Sequence, residues 1–208
     1  MAAKKMFRTE DMKTPIARLS YAQTLFKPRA AKNSTVEKYG CTLIFPNKDR
    51  AALEEMVRKC IVGEWGDKGL DMASKGLIKS PLLAGDGKEA RSKETGELHP
   101  GMGSDVFFIR TQSIYEPAVR YRSANIPATP EEVYSGCFGF GVVNVFAWYN
   151  QENGNGVSFG IQYFQKTADG EKIGGGGGVD TSKWHETVES SDAPAETKGG
   201  AGAGGLFG

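Results

Sequence analysis

YSGCFGFGVVNVFAWYNQENGNGVSFGIQYFQK, residues Tyr134 to Lys166, decides the fold. Two alternating runs flank a polar Asn/Gly loop at Asn150 to Gly156, the signature of a β-hairpin. The first run sorts by parity. Even positions carry Phe138, Phe140, Val142, Asn144, Phe146 and Trp148; odd positions carry Cys137, Gly139, Gly141, Val143, Val145 and Ala147. Successive strand side chains point to opposite faces, so one face is bulky and aromatic and the other small. The second run sets Val157, Phe159, Ile161 and Tyr163 against Ser158, Gly160, Gln162 and Phe164. If the apolar and small sets share the interior, Phe138, Phe140 and Trp148 lie outside, near Phe164. Exposed rings on a sheet, with arginines nearby, are suited to stacking unpaired bases. The competing reading is that strand aromatics belong to the core. The polar Asn144, in the middle of the even face, weighs against it for its neighbours.

Upstream, the pattern supplies three more strands and a helix. Thr14 to Phe26 reads as a first strand, with Leu19 and Tyr21 on one face and Arg18 and Ser20 on the other. Glu37 to Phe45 reads as a second, turning Tyr39, Cys41, Leu43 and Phe45 inward, and Pro46 ends it because proline cannot donate to a ladder. Asn47 or Asp49 then caps a helix running to about Val62. Leu53, Met56, Val57, Cys60 and Ile61 form its single apolar stripe, while Glu54–Arg58 and Glu55–Lys59 fall at ion-pair spacing. Gly63 to Gly103 is glycine- and lysine-rich with little periodicity, so it reads either as a flexible backbone clamp or as a solvated loop. Asp105 to Ser113 is a third strand and Ala118 to Arg122 a short fourth; the hairpin completes the set. The expected fold class is mainly β: an OB-fold-like five-stranded Greek-key barrel with one α-helix, placed after the second strand rather than after the third. Residues 1–13 read as a flexible start, 14–173 as the folded domain, and 174–208, opened by five glycines, as a Gly-rich acidic disordered tail.

The formal net charge of +1 hides an asymmetry. Residues 1–122 hold 22 Lys and Arg against 15 Asp and Glu, net +7, and residues 123–208 hold 4 against 10, net −6. A basic body with an acidic end suggests a polyanionic partner and an internal competitor for it. Cys41, Cys60 and Cys137 are far apart in apolar surroundings and read as buried free thiols. The amino-terminal stretch does not read as a signal peptide, and no run has the length of a membrane span. No catalytic triad, phosphate loop or metal-ligand spacing is visible, so the expectation is a binding protein with no cofactor, not an enzyme. The cations best placed for a nucleic-acid backbone are Arg18, Arg110, Arg120 and Arg122, with Tyr115 and Tyr121 interleaved.

Four stretches, TPIARLSY, KYGCTLIFP before a helix, YSGCFGFGVVNVFAWYN and GVSFGIQYFQKTADGEKIGG, resemble a family of bacteriophage single-stranded-DNA-binding proteins long catalogued only as a domain of unknown function. The resemblance covers most of residues 14–178. It implies an OB-fold core that coats single-stranded DNA without sequence preference during replication, recombination or repair, in the cytoplasm of the infected host. Phosphates would be met by Arg18, Arg110, Arg120 and Arg122, and bases would stack on Tyr121, Phe138, Phe140, Trp148 or Phe164. It also implies a tail that engages replication proteins. This chain differs there, since its acids are sparse and it ends Leu206-Phe207-Gly208 after a glycine spacer. A homo-oligomer is compatible with the sequence. The alternative is a β-rich phage structural or assembly protein that uses the aromatic sheet as a subunit interface.

Overall fold

Two strands carry the architecture, β10 (Phe138–Asn150) and β11 (Gly154–Ala168), paired antiparallel from end to end. They belong to a computed structural model that describes residues 6–30 and 34–173. Ahead of them come β1 (Met12–Lys13), β2 (Ala17–Ser20), β3 (Arg29–Ala30), β4 (Glu37–Lys38), β5 (Thr42–Pro46), α1 (Arg50–Trp65), α2 (Asp67–Ser74), β6 (Ile78–Lys79), β7 (Leu83–Ala84), β8 (Val106–Gln112) and β9 (Ala118–Arg120). The hairpin turns through residues 151–153, where the Asn150 side chain accepts bonds from the Glu152 and Asn153 amides.

The barrel closes in the order β2–β5–β8–β11–β10–β2. Its pairs are antiparallel except β8 with β11, which is parallel. This is the five-stranded Greek-key closure of an OB-fold. The helix does follow the second barrel strand. Its stripe of Leu53, Met56, Val57, Cys60 and Ile61 is buried as read, packed into the same core as Leu43, Phe45, Phe107, Val145 and Phe159. Phe45 stacks on Phe107 with ring centroids 5.3 Å apart. All three cysteines are buried free thiols, and burial pushes the Cys41 and Cys60 thiols up to about 12.

The odd face of β10 is the inner one. Gly139, Gly141, Val143, Val145 and Ala147 are buried, while Phe140, Phe146 and Trp148 are partly buried and Phe138 is 36 % exposed. On β11 the parity does not persist. Val142 pairs with Tyr163 but Val143 pairs with Ile161, so Gln162 is an extra residue, a β-bulge. Val157, Phe159 and Ile161 point inward before the bulge; Phe164 and Lys166 point inward after it. Phe164 is therefore fully buried, and the expectation that its ring lies outside as a base platform is corrected. Tyr163, expected inside, is turned out.

Four further readings are corrected. Residues 6–13 are not loose: Arg8 bridges Phe146, β1 pairs with Val142 and Val143, and the Thr9 amide donates to the Val145 carbonyl. This segment covers the edge of β10, which would otherwise present unpaired backbone. The first strand stops at Ser20, because Tyr21 adopts a left-handed conformation (φ 57°) and a 3-10 turn follows. Residues 63–103 are ordered rather than a floppy clamp. They hold the end of α1, then α2, β6 pairing with β11 and β7 pairing with β8. On α1, Glu54 pairs with Arg50 rather than with Arg58, at 2.9 Å. The expected tail, 174–208, lies outside the described residues.

Candidate nucleic-acid interface

One groove lies on the outer face of the barrel, over β2, β5 and β8. Register places Arg18, Ile44 and Phe108 in one row across these strands, and Ser20, Thr42 and Arg110 in the next. The first row is roofed. Ala90, Leu98, Met102 and Ile173 pack over Ile44 and Phe108 as a second small core. The row of Thr42 and Arg110 opens into a cavity of about 510 Å³. Its walls are the β3–β4 ribbon on one side and Glu89, His99 and Met102 on the other, with Tyr21 and Tyr39 at the β2–β5 end. Gly40 is needed at this corner, since a Cβ there would run into the Thr111 carbonyl.

The groove is basic and aromatic together. Among the described residues, Arg29, Lys38 and Arg110 line it, against one carboxylate, Glu89. Arg29 and Lys38 are direct cross-strand partners in the β3–β4 ribbon, and both are exposed. Like charges set opposite each other are unfavourable on their own account, so this pair suits an anion arriving between them. Lys38 donates to the Gln112 side chain at 2.8 Å, which ties the ribbon to β8. The Arg110 guanidinium lies 5.6 Å from the Phe108 ring centroid and donates to the Glu89 carbonyl at 2.8 Å. Tyr21 is 55 % exposed, an aromatic platform at the rim. Tyr39 is tied by a backbone bridge to Ser113, so the chain leading to Tyr115, 74 % exposed, starts beside the groove.

The structure scatters the residues expected from the sequence. Arg110 lines the groove. Arg18 is one row away on the same face, donating to the Glu171 carbonyl at 2.8 Å, and Phe138 is its cross-strand neighbour on β10. Phe140 and Trp148 stand on the hairpin's outer face. Lys13 covers the Phe140 ring, and the Trp148 indole lies against Gly156 and donates to Ser158 at 2.9 Å. Arg120 spends its guanidinium on the Ala124 and Val119 carbonyls. Tyr121 and Arg122 belong to a third place, a stack of alternating cations and rings. Arg122 lies over Tyr121 at 5.2 Å, buried Lys166 lies between Tyr121 (4.3 Å) and Tyr134 (4.8 Å), and Lys172 lies over Tyr134 at 5.5 Å. Tyr21, Arg29, Lys38, Tyr39 and His99 carry no site signal in the sequence, and Tyr39, expected inside, lines the groove instead. The β3–β4 ribbon has no apolar alternation to announce it, and its lysine and arginine read as ordinary surface charge.

A barrel of this topology with a basic, tyrosine-rimmed groove across its second and third strands defines the class of oligonucleotide-binding OB-folds. The family model for the ssDNA-binding protein of Enterobacter phage Enc34 matches residues 10–194, and the chain belongs to that family. Putative protein p50 of Acyrthosiphon pisum secondary endosymbiont phage 1 is 25 % identical over 167 residues, 77 % of this chain and 84 % of that protein. The fold matches solved structures of the bacteriophage Enc34 single-stranded DNA-binding protein. The one in complex with ssDNA has a TM-score of 0.57 at 18 % identity, covering 83 % of this chain and 100 % of that one. Another has a TM-score of 0.55 at 21 % identity, covering 85 % and 90 %. No described helix is long and apolar enough to cross a membrane.

Proposed function

We propose that this protein binds and coats single-stranded DNA without sequence preference, in phage replication, recombination or repair in the cytoplasm of the infected bacterium. The strand lies in the groove over β2, β5 and β8. Phosphates are met by Arg29, Lys38 and Arg110, and bases stack on Tyr21 and Tyr39, with Arg18 and Phe138 extending the surface. The observation that carries the reading is that the Arg29–Lys38 like-charge pair lines the same groove as Arg110, Tyr21 and Tyr39. Cations tracking a backbone and rings taking base faces are sequence-tolerant, because every nucleotide has both a phosphate and a π-face. The role is binding, not turnover. Phe140 and Trp148, whose rings are engaged by Lys13, Gly156 and Ser158, brace the hairpin instead of stacking bases.

Titration of labelled oligo-dT and of a duplex of equal length, at several salt concentrations, tests this. Oligo-dT should bind more tightly, and log K should fall linearly with log salt. Arg110→Ala should weaken binding and shallow the slope by about 0.7, the loss of one single-strand phosphate contact. Equal affinity for duplex would remove the stacking component. Contacts with replication proteins through residues 174–208 belong to the same proposal. Capture of host or phage replication proteins that survives deletion of residues 179–208 would place those contacts elsewhere.

A further inference from the structure

Within the groove one group works against the proposed ligand. Among the described residues lining it, Glu89 is the only carboxylate, and it contacts Arg110. Its two oxygen types make different contacts. The backbone carbonyl accepts a bond from Arg110 Nη2 at 2.8 Å, while the carboxylate Oε2 stands 3.5 Å from Nη1, a loose ion pair about half exposed on both sides. The carbonyl is held firmly. The next residue, Ala90, is fully buried against Phe108 and Ile44, its own carbonyl accepts the His99 amide, and β7 just upstream is laddered to β8. The carboxylate has no such anchor.

We infer that Glu89 is a built-in stand-in for phosphate: its carbonyl holds the Arg110 guanidinium over Phe108 in the orientation DNA requires, and its carboxylate occupies the phosphate side until DNA displaces it. The inference rests on the groove being the DNA site. Arg110 meets phosphate best with a two-pronged, in-plane contact. The loose pair keeps the guanidinium partly neutralised in the free protein, so each binding event exchanges one anion for another. The consequence is an affinity held below what the cations alone would give. That suits a protein that must be stripped from the strand when an enzyme needs it.

The substitution Glu89→Gln tests this cleanly. It removes the charge, conserves the volume and leaves the backbone bond to Arg110 in place. Fluorescence titration with oligo-dT should show tighter binding, by about two- to fivefold at low salt, the range of an exposed ion pair. The gain should shrink as salt rises, and the salt slope should steepen, because Arg110 without the carboxylate holds a solution anion that DNA then releases. In the Arg110→Ala background the same substitution should give no gain. Glu94→Gln, on the same segment but not lining the groove, is the control and should leave binding as in the parent. Three results would overturn the inference alone: an unchanged or weaker Glu89→Gln complex, a gain that persists without Arg110, or an equal gain from Glu94→Gln. Arg110→Ala binding as tightly as the parent would overturn the groove reading itself, and the inference with it.

Discussion

The Lys13 ammonium lies 3.9 Å from the centroid of the Phe140 ring, and the same ring tilts against Tyr163 at 6.2 Å. Residue 13 comes from the amino-terminal segment and residue 163 from beyond the Gln162 bulge, so Phe140 joins three strands on the barrel's outer wall. A ring in that position contributes to folding. Phe140→Ala should cost about 2 kcal/mol, combining lost apolar burial with a partly exposed cation–π contact. Urea unfolding would read the loss, and oligo-dT affinity of the folded protein should stay as in the parent. Weakened binding with an unaltered unfolding midpoint would return the ring to the DNA surface.

Tyr21 offers a test in which stability and binding move in opposite directions. Its φ of 57° is a left-handed conformation that a residue with a Cβ holds at a cost of about 1 kcal/mol or more. Tyr21→Gly removes that strain, and the exposed ring contributes little burial. The melting temperature should therefore hold or rise. Single-strand affinity should fall by about 1–3 kcal/mol, the worth of one stacked base. Tyr21→Gly with full affinity would take this tyrosine out of the interface.

Phe164→Ala should be severe. The ring is fully buried against the core, Gly139 packs directly on it, and truncating a core phenylalanine costs about 3–5 kcal/mol. Thermal unfolding would measure it. A mild loss of stability accompanied by weak DNA binding would mean that Phe164 reaches the surface.

Phe164 also marks where the sequence stops being legible. The inner face of β10 could be read because its odd residues are uniformly small or β-branched, a pattern only one side of a strand can satisfy. The α1 stripe was legible for the same reason: five apolar residues at helical spacing leave one packing direction. A bulge has no such signature. Gln162 differs from a paired residue only in what lies across from it, and that partner is set by β10, many residues away. One inserted residue exchanges the two faces, which is why Tyr163 and Phe164 were both misplaced. The groove was hidden by a different cause. Its walls, the β3–β4 ribbon and the chain carrying Glu89 and His99, are short of periodicity, and only the pairing of β5 with β8 brings Arg29 and Lys38 near Arg110. Arg110 could be found because it sits on a strand whose other face is visibly core.

The bulge has a second consequence, at Lys166. It turns this lysine inward, where it is 3 % exposed, donates to the Glu132 carbonyl and pairs with Asp169 at 2.7 Å. Burial works against the charged ammonium, but the bond and charge of Asp169, with Tyr121 beside it, outweigh it and hold Lys166 above the ordinary lysine range. Asp169 is held below the usual carboxylate range, first by the Lys166 ammonium and then by the Tyr134 hydroxyl. The signs give two windows. The lysine's contribution is complete below about pH 10.4 and is lost as pH rises through its raised value. The carboxylate's contribution is present above about pH 4 and is lost as pH falls through its depressed value. Both are in force at neutral pH. Lys166→Met keeps the shape but strands the Glu132 carbonyl, so it should cost about 1–3 kcal/mol at pH 7. Its urea midpoint should also fall less steeply than the parent's below pH 4, since Asp169 no longer has its partner. Parallel midpoints for the two proteins across that acid window would show that the Lys166–Asp169 pair contributes nothing to the fold.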